Sequence, residues 1–322
     1  MDQMLDKIID GNIRAVSRAI SLVENDGRDK EALIDQLYPN CGSAVVWGVT
    51  GPPGAGKSTL VDKLIKRERA QDHKVAVIAV DPSSPFSGGA ILGDRLRMQR
   101  HATDPNVFIR SMASRGHLGG VAGATSDAIK VFDAAGFDVI IIETIGVGQT
   151  EVEIIEISDI VLLVLVPGMG DEIQALKAGV MEIGDIFIVN KKDHHGADKL
   201  KAEVEYVLNL KDTKNSERNP VVMTNANLDE GIQKLHESIY EYLETIKNNQ
   251  QLKANRKKRL VSEIKNILTA KMVEQFSNYV DINQEIKKWS EQVYNGQIRP
   301  YQLINDKIQS FIKELQKNDI EN

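Results

Sequence analysis

At 322 residues, the chain is long enough for one large domain or for a domain with appendages. Hydrophobic residues make up 42% and charged residues 27%, the balance of an ordinary globular protein with a full core. A formal net charge of −6 argues against a general nucleic-acid binder, and the single cysteine, Cys41, excludes an intrachain disulfide and fits a reducing compartment.

In chain order, residues 1–42 come first as a helical extension. Met4, Ile8, Ile9, Ile13, Val16 and Ile20 recur at helical spacing, which predicts two short helices broken near Asn25-Asp26-Gly27. Charge enters every turn of MDQMLDKIIDGNIRAVSRAI, so this stretch does not read as a secretory leader. The longest apolar run, Ile160 to Val166, is too short to span a bilayer. The expectation is a cytoplasmic protein with neither membrane nor nucleic acid as partner.

Residues 43–247 carry a βα pattern. Apolar, largely β-branched runs recur at Ala44–Val49, Val75–Val80, Val107–Ile109, Val139–Ile142, Ile160–Val166, Ile186–Val189 and Val221–Met223, with helical segments between most of them. Strands that are apolar throughout are covered on both faces, so the fold class is α/β: a doubly wound, mostly parallel sheet. Residues 248–322 are rich in Lys, Glu, Gln and Asn, and Ile264, Ile267, Leu268, Met272 and Phe276 keep helical spacing. Two or three helices are expected there, punctuated at Asn295-Gly296 and Pro300, with a core too thin for an independent domain.

Gly51-Pro52-Pro53-Gly54-Ala55-Gly56-Lys57-Ser58 matches G-x-x-x-x-G-K-[ST] in full, between the strand AVVWGVT and the helix STLVDKLIKRE. In such a loop glycines let backbone N–H groups turn toward a phosphate, and the helix N-terminus adds partial positive charge. Lys57 is expected on the β- and γ-phosphates, Ser58 on Mg²⁺, and Thr59 beside them. Other magnesium and switch groups must come from strand ends. Asp81 ends VAVIAV, Asp94 follows in ILGDRLRM, and Glu143 ends VIIIE where a Walker-B acid belongs. A solvated turn or helix cap is the alternative for Asp94. Glu143-Thr144-Ile145-Gly146 resembles the D-x-x-G switch, with Gly146 placed to offer its N–H to a γ-phosphate. Gln149 either orients the attacking water or starts the next helix.

Asn190-Lys191-Lys192-Asp193 fits N-K-x-D and follows the strand DIFIV. The Asp193 carboxylate suits the N1–H and exocyclic amine of guanine, whereas adenine would set an acceptor against it. Lys191 can lay its stem along the base, and Asn190 can bridge the loops around it. Thr224-Asn225-Ala226, after PVVM, resembles the [ST]-x-A loop that caps guanine. The ligands read from these motifs are GTP/GDP and Mg²⁺.

The blocks GVTGPPGAGKSTL, VDPSSPFSGGAILGDRLRM, SMASRGHLGG, IIETIGVGQTEVE, VPGMGDEIQALKAG and NKKD together resemble the MeaB/ArgK-type GTPases, the methylmalonyl-CoA mutase-associated G-protein chaperones. The resemblance implies a SIMIBI-class P-loop GTPase that forms a homodimer through its C-terminal helices. It implies an adenosylcobalamin-dependent acyl-CoA mutase as partner, whose cofactor loading the GTPase gates and which it protects. By motif it places Lys57, Asp81, Asp94 and Glu143 among the catalytic and magnesium groups. It also implies a mobile loop in GDEIQALK, with Asp171, Glu172 and Lys177 coupling nucleotide state to the mutase. Older names in this family speak of a kinase linked to lysine/arginine/ornithine transport, which the motifs leave open. A nickel-delivery GTPase is a further alternative, disfavoured by one cysteine and six histidines.

Other features take structural readings. His194-His195 suits a solvated loop rather than a metal, Trp47 suits the core, and Cys41, before that strand, suits a structural role. Arg95, Arg97 and Arg115 suit ion pairs, and Arg256-Lys257-Lys258-Arg259 suits a solvated helix face.

Overall fold

The computed structural model describes residues 2–25, 27, 29–82, 99–101, 103–114, 120–144, 157–168, 182–211, 219–280 and 282–318. Among these residues seven strands form one sheet: β1 (Val45–Thr50), β2 (Val75–Pro82), β3 (Val107–Ser114), β4 (Val139–Thr144), β5 (Ile160–Leu165), β6 (Ile186–Val189) and β7 (Val221–Met223). Their order is β3-β2-β4-β1-β5-β6-β7, and every pairing is parallel. The doubly wound reading therefore stands, with a wholly parallel sheet. β3 runs further than the Val107–Ile109 expected, because the register with β2 continues to Ser114.

The described α-helices are α1 (Asp2–Ile9), α2 (Ile13–Glu24), α3 (Lys30–Leu37), α4 (Lys57–Arg69), α5 (Gly120–Ala134), α6 (Ala197–Lys211), α7 (Ile232–Asn248), α8 (Gln251–Tyr279), α9 (Ile282–Tyr294) and α10 (Pro300–Asn318). Side-chain alternation explains why the strands read as unbroken apolar runs. In β4, Ile140 and Ile142 join a core shared with α1, α2, α3 and α5, while Val139 and Ile141 join the core beneath α4 and α7. In β1, Val46 faces the first layer, and Trp47 and Val49 the second. Successive residues point to opposite faces, so a strand covered on both sides is apolar at every position. Trp47 is fully buried, as its place in β1 implied.

The N-terminal segment differs from expectation. It holds three α-helices rather than two, because a break also falls at Gly11-Asn12. Gly11 takes φ +74°, and the Asn12 side chain caps the next helix by accepting from Ala15 N–H at 3.1 Å. Cys41 is half-buried, its thiol facing the carbonyls of Leu37 and Lys130, and burial together with the charge of Asp133 pushes its pKa up to about 11. Such surroundings disfavour the thiolate and suit a structural thiol.

The chain divides into two compact units, residues 1–260 and 261–322. The second holds most of α8 with α9 and α10. Gly296 and Pro300 separate its last two helices. Trp289 and Leu303 are buried, and the Phe276 and Tyr279 rings each lie 5.3 Å from that of Phe311.

Arg256 and Arg259 are not on a solvated face. Three residues apart on α8, they point the same way and converge on Asp159, just before β5. Asp159 is buried and also accepts from Val46 N–H at 3.0 Å. Burial opposes its ionisation, but the bond from Arg256 and the charges of Arg259 and Arg256 outweigh it and lower its pKa. Lys257 and Lys258, on the remaining turn, are exposed as expected.

A second buried acid sits near the end of α4. Glu68 pairs with His236 Nε2 and His73 Nδ1, each at 2.6 Å, and accepts from the Tyr240 hydroxyl at 2.8 Å. Burial raises its pKa, the bonds from His236, His73 and Tyr240 lower it, and the net direction is down from the usual 4.5. A depressed carboxyl stabilises the fold above its unfolded pKa and loses that contribution as pH falls through the folded one. Glu68→Gln should therefore lower stability by about 1–3 kcal/mol near neutrality. The gap from the unaltered protein should narrow below about pH 4.5 in urea unfolding across pH.

Candidate nucleotide-binding site

β1 ends at Thr50 and passes through Gly51 to Gly56 into α4, which Lys57 opens. Gly51 takes φ +142° and Gly56 φ +89°. A Cβ at Gly51 would stand 2.1 Å from the Val164 carbonyl oxygen, and one at Gly56 would stand 2.5 Å from Asn190 Nδ2. Backbone angle and space together reserve both positions for glycine. Pro52, Pro53, Gly54 and Ala55 complete the turn, with Ala55 buried and Pro53 and Gly54 exposed.

Lys57 is only 6% exposed. Its ammonium donates to the carbonyls of Gly51 at 2.8 Å and Pro52 at 3.1 Å, so the loop curls around its own lysine. The next residue, Ser58, donates to Glu143 Oε1 at 2.6 Å, and both are buried. Register explains this meeting: Val49 near the end of β1 pairs with Glu143 in β4, which brings the acid beside the first turn of α4. Thr144 then donates to Thr50 at 3.2 Å, joining the two strand ends. Thr59 is half-buried in the same turn. The first-turn N–H groups of α4 complete an arrangement suited to an anion.

Asp81 lies at the end of β2, one step beyond the Val80–Thr144 pair and so on the same edge. Its side chain lies outside the described residues, as do Asp94, Gly146, Gln149, Arg95, Arg97, Arg115, Asp171, Glu172 and Lys177 in full.

The base motif follows β6. Asn190 is 2% exposed, and its side chain joins three segments. Nδ2 donates to the Ala55 carbonyl at 2.8 Å, while Oδ1 accepts from Thr224 Oγ1 at 3.0 Å and Ala226 N–H at 3.1 Å. The phosphate loop and the Thr224-Asn225-Ala226 loop are thus fastened through one carboxamide. Lys191 takes φ +55°, and the Lys192 N–H bonds the Thr224 carbonyl at 2.9 Å. Asp193 is exposed, and its Oδ1 accepts from Asn225 Nδ2 at 2.7 Å. His194 and His195 are exposed on the same loop.

Sequence reasoning missed two parts of this arrangement. The Asn225 side chain donates to Asp193, a contact separate from the guanine cap that its loop resembles. Lys192, the variable position of the motif, forms an ion pair with Glu230 at 2.8 Å. A donor that follows the neighbouring strand, 32 residues from Asp193, has no local pattern to reveal it. The glycine geometry gives a direct test: Gly51→Ala should destabilise the fold by about 1–3 kcal/mol and abolish nucleotide binding, read by thermal unfolding and nucleotide titration.

Known proteins resemble this chain in sequence and in fold. The family described as "Methylmalonyl Co-A mutase-associated GTPase MeaB" matches residues 16–281. A Pyrococcus abyssi protein whose GTPase name is provisional is 53% identical over 272 residues, covering 84% of this chain and 84% of that one. GTPase ArgK of Escherichia coli is 33% identical over 298 residues, covering 90% and 89%. The crystal structure of a LAO/AO transport system kinase superposes with a TM-score of 0.71 at 24% identity over 98% of this chain and 97% of that one, a likeness of fold. With the family model spanning residues 16–281 and relatives at 53% and 33% identity over most of both chains, the chain belongs to the methylmalonyl-CoA mutase-associated GTPase family, MeaB.

Proposed function

We propose that this protein binds GTP, hydrolyses it to GDP and phosphate with Mg²⁺, and uses that cycle to assist cofactor loading and protection of an adenosylcobalamin-dependent acyl-CoA mutase. The observation that carries the nucleotide reading is the Asn190 bridge, which sets the phosphate loop and the N-K-x-D loop in one hydrogen-bonded frame. The mutase rests on membership of a family described by that association.

Lys57 has a buried ammonium among backbone carbonyls, and a triphosphate offers it stronger acceptors in the same place. The Ser58 hydroxyl and Glu143 carboxylate give buried oxygens side by side, which fits the oxygen preference of Mg²⁺. Bound there, the ion would neutralise charge between the β- and γ-phosphates. Ser58 would be its direct ligand, with Glu143, Asp81 and Asp94 holding the ion or its waters. Gly146 would offer its N–H to the γ-phosphate, and Thr224 and Ala226 would close the base side through Asn190.

A homodimer is part of the proposal. Ile264, Leu268 and Met272 on α8, and Ile304, Ile308 and Ile312 on α10, form exposed stripes at four-residue spacing. The proposed location is the cytoplasm. Among the described residues no helix is long and apolar enough to cross a membrane.

Lys57→Ala should abolish hydrolysis while circular dichroism stays unchanged. Asp193→Asn should cut the preference for GTP over ATP by about tenfold or more. Equal GTP and ATP affinity in the unaltered protein would sink the base assignment. The mutase claim predicts slow basal hydrolysis that accelerates when an adenosylcobalamin-dependent acyl-CoA mutase is added. A rate indifferent to every such mutase would refute that part alone.

A further inference from the structure

Asp193, the carboxylate assigned to guanine, is exposed, whereas its partner Asn225 is 4% exposed. An exposed aspartate turns about two side-chain bonds and loses that freedom on binding. Here the freedom is already restricted, because Asn225 Nδ2 donates to Asp193 Oδ1 at 2.7 Å.

The donor is itself fixed. The Asn225 backbone exchanges bonds with Glu230 at 2.9 and 3.1 Å, and its Oδ1 accepts from Leu228 N–H at 3.3 Å. Glu230 reaches back to Lys192 at 2.8 Å, so the two loops meet at a second point beside the first. A carboxylate has about four lone-pair directions, and one bond to Oδ1 leaves the rest for a ligand.

We propose that Asn225 is a positioning residue for base selection: it holds the Asp193 carboxylate in one rotamer, ready for both donors of a guanine edge. The inference rests on the guanine reading above and names the residue that enforces it. Guanosine triphosphate presents N1–H and the exocyclic amine, whereas inosine triphosphate presents N1–H alone. A held carboxylate gains from the second donor, and a freely turning one gains less. Asn225 therefore acts on the ratio of GTP to ITP affinity.

Asn225→Asp is the sharpest probe. It keeps the acceptor for Leu228 N–H, so the turn retains its bond, but it sets a second carboxylate where Asp193 needs a donor. With the full chain and magnesium, the GTP/ITP affinity ratio should fall about tenfold, the loss of one charge-assisted hydrogen bond. The GTP/GDP ratio, which reads the phosphate end, should stay as it was. Asn225→Ser, which retains a shorter donor, should recover part of the ratio. In an Asp193→Ala background, Asn225→Ala should change the GTP/ITP ratio no further. A folded Asn225→Asp protein with the original GTP/ITP ratio would overturn the proposal. If that variant fails to fold, an unchanged ratio in Asn225→Ala overturns it equally. Failure of the guanine reading itself shows separately, as equal GTP and ATP affinity before any substitution.

Discussion

Asn190 stands at the end of β6 with its side chain almost wholly out of water, and a carboxamide so placed must find partners within the protein. It finds them at the Ala55 carbonyl on one side and at Thr224 and Ala226 on the other. One planar group therefore sets the spacing between the two loops. The same residue explains a glycine: Gly56 lacks a Cβ partly because Asn190 Nδ2 occupies that space. Gly51 is required in the same way by the Val164 carbonyl of β5. The loop's glycines answer to the packing of the fold as much as to the approach of a phosphate.

A second line of support runs through α4. Along this buried helix, polar residues are paired rather than excluded. Ser58 meets Glu143, Asp62 meets Arg100 and His101, and Glu68 meets His236, His73 and Tyr240. Arg67 reaches Asp229, in the turn that follows Ala226, at 3.1 Å. The helix that opens with Lys57 is thus tied at its far end to the base loop and to α7. Each tie is charged or hydrogen-bonded and directional, so it fixes rotation of the helix as well as distance, which apolar contact alone does less well.

The sheet and the local motifs were legible because each rests on short-range chemistry. Burial on both faces makes β4 read VIII, and the glycines and Lys57 sit in one uninterrupted string. What escaped was chemistry between distant segments. Asn225 to Asp193 and Arg256 to Asp159 span 32 and 97 residues, and neither leaves a local period. The basic run at Arg256 illustrates the loss. Composition alone favours water for four consecutive cations, and only the position of Asp159 decides that two of them turn inward. The extra helix break at Gly11 was missed for a different reason. Its apolar spacing continues across the turn, so periodicity outvoted one glycine and one capping asparagine.

The Asp159 cluster bears on the segment between Glu143 and β5. That segment leaves the sheet at Thr144, whose hydroxyl is bonded to Thr50, and rejoins it through Ile157, whose carbonyl accepts from Arg259 at 2.9 Å. Asp159, two residues later, is held by both arginines and by Val46. Thr144 and Asp159 are therefore held at opposite edges of the sheet, the one by paired threonines and the other by buried charge. Removing one partner from such a charge cluster leaves the rest uncompensated in a poorly solvated place, so its members stand or fall together. α8, which supplies the arginines, continues unbroken to Tyr279 with no buried residue of its own. Its attachment within the first unit consequently lies at its start, where Leu252 packs against the core and Arg256 and Arg259 make directed polar contacts, rather than on an apolar face buried along its length.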